Sequence, residues 1–271
     1  MAVYNSARTL QRALDSVRDQ NYEHKELVII DGASTDGSVE ILQANERWID
    51  YWESEQDRGI CHAWNKGLDH ANGEWIHFLG ADDYFMDSAV LTRVAKGLMK
   101  CSREIRVVYG KEAVVSSGGE VLKIWGDAWE KAGPQIVKEM SIPHPTVFLH
   151  RSIFESFGKF DESYRICADY HLLLKELKTG KALFIPDVVV KAVTYEGVSR
   201  RWDMLPTVVL ETALAQRMNG LFPYRPSWIF FFARSIVKFS VFQMLGDKGT
   251  RQVVDLYRLL TGRPRLWTKM E

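Results

Sequence analysis

Carboxylates at the ends of apolar runs are the first residues here whose type and spacing could do chemistry. Trp75-Ile76-His77-Phe78-Leu79 reads as a buried strand, and it runs straight into Gly80-Ala81-Asp82-Asp83. Two adjacent acids at a strand's carboxyl end, with Gly80 and Ala81 leaving room for close approach, suit a divalent cation. The same pair would also suit the cap of a following helix. Val28-Ile29-Ile30-Asp31 repeats the pattern, and Asp57 lies where a short strand near Ile49 to Glu53 hands over to a loop. Loops at the carboxyl ends of parallel strands share one edge of a sheet. A common acidic cleft therefore explains Asp31, Asp57, Asp82 and Asp83 more economically than separate caps.

The elements needed to hold these acids are legible from periodicity. Leu10, Ala13, Leu14 and Val17 have helical spacing, and a second helix is expected from Ser38 to Asn45 after the polar turn Gly32 to Gly37. A third helix carries Ile60, Ala63, Trp64, Gly67, Leu68 and Ala71 on one face and ends at Asn72-Gly73. Strands alternating with helices in this way predict an α/β fold with a mostly parallel sheet covered by helices. Further on, Asp87-Ser88 caps a helix burying Val90, Leu91, Val94, Ala95, Leu98 and Met99. Arg106 to Gly110 is a strand, and Val114-Val115 with Val121 to Trp125 forms a hairpin around Ser116 to Gly119. Ile142 to Leu149 is a proline-marked entry into a strand. Short helices are expected at Ser152 to Phe157 and from about Asp169 to Lys178, with two late strands at Ala182 to Ile185 and Val188 to Val193.

Bulk composition narrows the function classes. The 271 residues suffice for one large domain with an extension, and 35 basic residues balance 35 acidic ones. No global basic field speaks for a nucleic-acid partner. Cys61, Cys101 and Cys167 follow no metal-ligand spacing and cannot pair completely, which points to a reducing, cytoplasmic setting. The first residues show no basic segment followed by an apolar stretch, so no signal peptide is expected.

The last seventy residues differ in character. Met204 to Met218 is helical by pattern, and Pro226 to Leu245 is rich in Trp, Phe, Ile and Val, with Arg234 and Lys238 four residues apart. Twenty residues with two cations make a poor transmembrane span. Aromatic residues beside a basic stripe suit a helix in a membrane interface, or equally one packed on the domain before it. Asp247 to Gly262 is a final amphipathic helix, and Arg263 to Lys269 is a basic tail with access to anionic lipid.

Taken together, several motifs resemble the family 2 glycosyltransferases. They are Val3-Tyr4-Asn5, Val28 to Ser38, Asp57-Arg58-Gly59, Asn65-Lys66-Gly67, Gly73-Glu74-Trp75, Leu79 to Asp83 and Ala168-Asp169-Tyr170, in that order over residues 1 to about 200. The resemblance implies a GT-A nucleotide-sugar-binding domain over 1–200, followed by a helical extension over 201–271. It implies inverting transfer of a sugar from a nucleotide-sugar donor, a UDP-sugar first, to a hydroxyl. The acceptor would be a glycan or lipid-linked saccharide of surface-polysaccharide synthesis, and the protein would sit in the cytoplasm or peripherally on the inner face of the membrane. Mn2+ or Mg2+ would neutralise the diphosphate leaving group. By the resemblance Asp83 holds the metal and Asp82 supports it or touches sugar. Asp31 accepts from the nucleobase imide, Asp57 is a second base-side acid, Arg58 lies near diphosphate or base, and Asn65 and Lys66 belong to the donor site.

Inversion needs a base on the face opposite the leaving group, within hydrogen-bond reach of the acceptor hydroxyl. Asp169 matches the family's catalytic acid and opens a helix, where a negative charge is favoured; a simple helix cap would look the same. His144, between two prolines, matches a cleft-lining position, with a buried structural His as the other reading. His77 reads as core. Tyr195 to Ser199 resembles a Gly-containing loop near the donor phosphates, or an ordinary surface loop. The sequence departs from the family pattern at His62 and Gly80, where acids are common, and in the near absence of a first strand before Val3, for which an upstream translation start is the expectation. Two other readings stay open, a catalytically silent nucleotide-sugar-binding or scaffold protein and a nucleotidyltransferase. Against the latter stands the lack of a Gly-rich basic N-terminal loop for a triphosphate.

Overall fold

Strand β1 (Ala2–Val3) pairs in parallel with β2 (Val28–Asp31), and β2 with β3 (Tyr51–Ser54). The computed structural model describes residues 1–102, 104–116, 118–193, 201–221 and 226–270. Helices α1 (Ala7–Arg18), α2 (Ser38–Asn45) and α3 (Ile60–His70) connect and cover these strands. In α1 the buried residues are Leu10, Ala13, Leu14 and Val17, the face expected from spacing. In α3 the face is narrower than expected, because Ile60 is exposed at the helix start.

After α3, β4 (Trp75–His77) begins a second, six-stranded sheet with β5 (Tyr84–Phe85), β6 (Val107–Val115), β7 (Val121–Trp125), β8 (Val147–His150) and β9 (Ala182–Val193). Its order is β4-β8-β6-β9-β5, with β7 on the far half of β6. An isolated parallel bridge between Ala2 and Gly80 joins the two sheets. The parallel pairing expected from the sequence holds for β1-β2-β3 and for β6-β9, whereas the other ladders of the second sheet are antiparallel. For β6-β7 the reason is connection length: parallel neighbours need a long crossover, and the Gly118-Gly119 hairpin is too short to provide one.

The two late strands expected from the sequence are one, β9, which runs through Pro186 with its register shifting against β6. Helix α4 (Val90–Leu98) buries Val90 and Val94, while Met99, at its C-cap, is exposed. Helices α5 (Trp129–Ile136), α6 (Ser152–Phe157) and α7 (Ala168–Leu177) cover one sheet face together with α3. Helices α1 and α4 cover the other. A 360 Å³ cavity lies between β2 and β4, lined by Met1, Val28, Ala63, Ile76, His77 and Phe148 among others.

Helix α8 (Leu205–Met218) is part of the main core, since Ala215 is fully buried in the cluster that holds α7. Helix α9 (Pro226–Leu260) breaks at Gly246, which has φ 66°, so the two expected C-terminal helices are present end to end. The chain then folds back. Asp255 accepts from the backbone N–H groups of Leu266, Trp267 and Thr268, and Leu266 and Met270 pack against Val114 and Val193. Tyr195 to Ser199 lies outside the described residues.

Candidate active site

Register places the acids beside one another. Val3 pairs with Asp31, Asp31 with Ser54, and Ala2 bridges to Gly80. The carboxyl ends of β2, β3 and the β4 extension therefore form one edge, as the acidic pattern implied.

Asp31 is fully buried. Its Oδ2 accepts from the Ser34 N–H at 2.9 Å and the Ser54 hydroxyl at 2.6 Å, and its Oδ1 accepts from the Ser34 hydroxyl. Asp31 is thus a turn-capping acid as well as a candidate base contact, with one of about four acceptor positions left for a ligand N–H. Ser34 in turn accepts from the Asn5 N–H at 2.8 Å, and Asn5 Oδ1 accepts from Thr35 N–H at 2.9 Å. Within this clasp Ala33 has φ 62°. A non-glycine residue in that region costs roughly 1 kcal/mol, and the surrounding hydrogen bonds hold it there.

Asp57 lies over Gly32. A Cβ added at Gly32 would meet Asp57 Oδ2 at 2.7 Å, so only glycine admits the carboxylate this close to the β2 turn. The other oxygen accepts from Gly59 N–H at 2.8 Å. Asp82 and Asp83 converge in the same manner on Gly80, where a Cβ would sit 2.8 Å from Asp82 Oδ1 and 3.1 Å from Asp83 Oδ2. They do not cap the next helix. β5 intervenes, and α4 begins at the N-cap Ala89 with no side-chain capping bond; Asp87, expected to cap it, accepts from Ala89 N–H at 2.8 Å in the turn just before.

The space over Gly80 tests the expectation of a metal. Two carboxylates facing a missing side chain suit Mg2+ or Mn2+, which commonly takes one or two protein carboxylates together with substrate phosphates. Among the described residues no three His, Cys, Asp or Glu side chains gather into an all-protein cage. The residues fit an ion shared with a phosphorylated ligand.

Lys191 is a contributor that sequence reading missed. It is 1 % exposed, and its Nζ donates to Asp83 Oδ2 at 3.2 Å and to the Phe78 carbonyl at 3.0 Å. Nothing in Val188 to Val193 distinguishes this lysine from a surface one except its place in an otherwise apolar strand. Beneath it, His77 stacks between Phe148 and Phe85 with ring centroids at 4.3 and 5.5 Å, and its Nδ1 contacts the Val147 carbonyl at 2.9 Å. Burial first, and Lys191 second, hold its protonation well below the ordinary histidine range. His77 is core, as read from the sequence.

Asp169 stands at the second position of α7, after Cys167 and Ala168. Its Oδ2 lies 3.0 Å from His144 Nδ1, and its Oδ1 accepts from Tyr170 N–H at 2.6 Å. His144 enters from a short 3-10 turn before β8, pinned where the buried Thr146 hydroxyl donates to the Gly110 and Pro143 carbonyls at 3.0 and 2.9 Å. Its ring centroid is 6.0 Å from that of Trp64 on α3.

The remaining expected donor residues make contacts with protein. Asn65, buried, exchanges hydrogen bonds with the Phe160 backbone at 2.9 and 3.0 Å and donates to Glu162 at 3.1 Å. Arg58 pairs with the same Glu162 at 2.7 Å. Lys66 pairs with Glu53 and with Glu55, the latter at 3.3 Å. Asn65 and Lys66 therefore brace α3 against the 160–162 loop and β3. Arg58, largely exposed, keeps donors at the rim.

Residues 1–105 match the model of glycosyl transferase family 2. This part of the chain is similar to that family. A PGL/p-HBAD biosynthesis glycosyltransferase of Mycobacterium bovis is 32 % identical over 171 residues, which are 61 % of this chain and 63 % of the relative. An uncharacterized glycosyltransferase of Rickettsia typhi is 25 % identical over 72 % of this chain and 63 % of its own length. The chain thus spans just under two thirds of these relatives. S. aureus TarS 1-349 in complex with UDP-GlcNAc superimposes with a TM-score of 0.62 at 17 % identity, covering 95 % of this chain and 76 % of that one. The mannosyltransferase PcManGT from Pyrobaculum calidifontis, in complex with GDP-Man and Mn2+, gives 0.57 at 19 %, covering 96 % and 78 %. The chain shares the α/β fold of these glycosyltransferases, the architecture expected from its motifs.

Proposed function

We propose that the protein is an inverting, metal-dependent glycosyltransferase that moves a sugar from a nucleotide donor, a UDP-sugar in the first instance, to a hydroxyl of a glycan or lipid-linked acceptor. The observation that carries this reading is the convergence of Asp82 and Asp83 on Gly80, one strand away from Asp31 at the same sheet edge. The neighbours' complexes with UDP-GlcNAc and with GDP-Man and Mn2+ support it by likeness of fold.

In this reading Asp31 accepts from the base with its remaining lone pair, and Asp57 flanks it over Gly32. Asp83 and Asp82 hold Mn2+ or Mg2+, which, when bound with the donor phosphates, supplies positive charge to the leaving diphosphate. Lys191 fixes the Asp83 carboxylate from behind. Asp169 takes the acceptor proton, and His144 orients its Oδ2. Surface-polysaccharide synthesis as the setting follows from the family resemblance and from the relative named for PGL/p-HBAD biosynthesis.

Contact with a membrane is part of the same proposal. Ile229, Phe230, Ile236, Val237, Met244 and Leu245 on α9 are exposed, as are Leu210, Leu214 and Met218 on α8. An 18-residue window within Trp228–Leu260 has mean hydropathy 1.4 with none of it buried. Of the expected basic pair, Arg234 is exposed, whereas Lys238 lies 5.9 Å over the Trp202 ring and burial brings its pKa to about 8. Exposed Arg263 and Arg265 add further cations, and the protein would rest peripherally on a cytoplasmic leaflet.

The test is release of UDP from UDP-GlcNAc, and of GDP from GDP-mannose, in the presence of Mn2+. Turnover of one donor is expected, with Asp169→Asn at least about 100-fold slower while donor binding persists. Turnover of neither would favour a silent nucleotide-sugar-binding protein, and unimpaired Asp169→Asn would remove that residue as base.

A further inference from the structure

The backbone leading into Asp169 is held from outside the family 2 motifs. Glu211, on α8, accepts from three successive N–H groups, those of Arg165 at 2.7 Å and of Ile166 and Cys167 at 2.8 Å. These residues form the approach to α7, whose N-cap, Cys167, makes no side-chain capping bond. A carboxylate satisfying three N–H groups is a charge-assisted clasp, stronger and shorter than ordinary turn hydrogen bonds. Two residues after the clasp comes Asp169, with its Oδ2 on His144.

The same helix grips α7 further along. Gln216 donates to the Tyr170 hydroxyl at 3.2 Å and to the Lys138 carbonyl at 2.8 Å, and Asn219 donates to His171 Nδ1 at 3.2 Å. All three side chains on α8 act on the first turn of α7 or the segment before it. Gln216 and Asn219 hold the helix body, whereas Glu211 holds the backbone that sets where the helix starts, beside longer contacts of Cys167 Sγ with the Val208 carbonyl at 3.7 Å and the Thr212 hydroxyl at 3.8 Å.

We propose that Glu211 is a positioning residue for the reaction, setting the placement of Asp169 relative to His144 and the acceptor through the 165–167 backbone. This rests on the assignment of Asp169 as base. A carboxylate displaced by an ångström no longer meets the acceptor proton in line, and misplacement of that order costs about 100-fold in rate. Donor binding at the β2–β4 edge involves none of these groups and is left intact.

The experiment compares wild type, Glu211→Gln and Asp169→Asn by carbon NMR of the His144 ring at one fixed pH, assigned with His144→Gln, and by UDP release from UDP-GlcNAc. Glu211→Gln keeps one acceptor oxygen but turns the other into an N–H2 that faces an N–H of the clasp, and removes the charge that strengthens the bonds that stay. Its His144 signal is expected to move toward that of Asp169→Asn, with kcat down about 100-fold and UDP affinity unchanged. A His144 signal at the wild-type position, or a fall in kcat matched by equal losses in UDP affinity and folded fraction, would overturn the proposal. Should Glu211→Gln not fold, Glu211→Asp, one methylene shorter with its charge kept, is judged by the same readouts. If Asp169→Asn retains full turnover, the base assignment fails, while the His144 signal still decides whether Glu211 places residue 169.

Discussion

At the scale of single residues the site is built from acids brought close by glycines. Gly32 and Gly80 each occupy a spot where a methyl group would collide with a carboxylate. Gly32→Ala should leave stability almost unchanged, because Asp57 is the end of a movable side chain, yet turn that carboxylate away and weaken UDP binding about tenfold by calorimetry. The acids and glycines were legible in the sequence because their types are uncommon at the ends of apolar strands. Lys191, Glu162 and Glu211 were not, since each acts across 90 or more positions or across α8 onto α7, and a lysine or glutamate carries no local sign of its partner. Asn65 and Lys66 were legible as a motif but not as braces. His77 gives the fold an acid sensitivity. Its folded pKa lies below its unfolded value of 6.5, so the unfolded chain takes up the proton first, and stability falls as pH drops below about 6.5, by at most about 1.4 kcal/mol per pH unit. In urea titrations between pH 7 and 5, His77→Phe, which preserves the stacking, should lose this part of the pH dependence.

At the scale of elements, α1, α2, α4 and the β6–β7 hairpin were legible from periodicity and turn residues. The division into strands was less so near Pro186, where tertiary pairing with β6 carries β9 through a residue that would end a strand in isolation. The expected boundary at residue 200 also looks different in three dimensions. Helix α8 contributes Ala215 to the main core and three polar side chains to α7, and the segment after α9 returns to Val114 and Val193. Deleting residues 201–271 should therefore expose the α7 face and leave a chain without a cooperative thermal transition by calorimetry or near-UV circular dichroism. A truncated protein that melts cooperatively near the full-length temperature would contradict this placement.

At the scale of the whole molecule, the Asp169 scaffold and the apolar surface belong to different parts of the chain, and α8 touches both. Its inward side carries Glu211, Thr212, Ala215 and Gln216, and its outward side Leu210, Leu214 and Met218. An acceptor with a lipid tail would thus meet a surface linked to the Asp169 scaffold through one helix. In sedimentation with anionic vesicles the protein should co-pellet, and Phe230→Asp with Val237→Asp should reduce the bound fraction about tenfold. Equal binding by the double variant would remove the surface from that role.

The central claim, a nucleotide and its metal held where Asp83 meets the β1–β2–β3 edge, is measured most directly by calorimetry of UDP binding with and without Mn2+, in wild type and Asp83→Ala. Wild type should bind UDP at least about tenfold more tightly with Mn2+ present, and Asp83→Ala, with its fold intact, should lose that gain. Mn2+-independent UDP binding in wild type, or an undiminished Mn2+ effect in Asp83→Ala, would contradict the account.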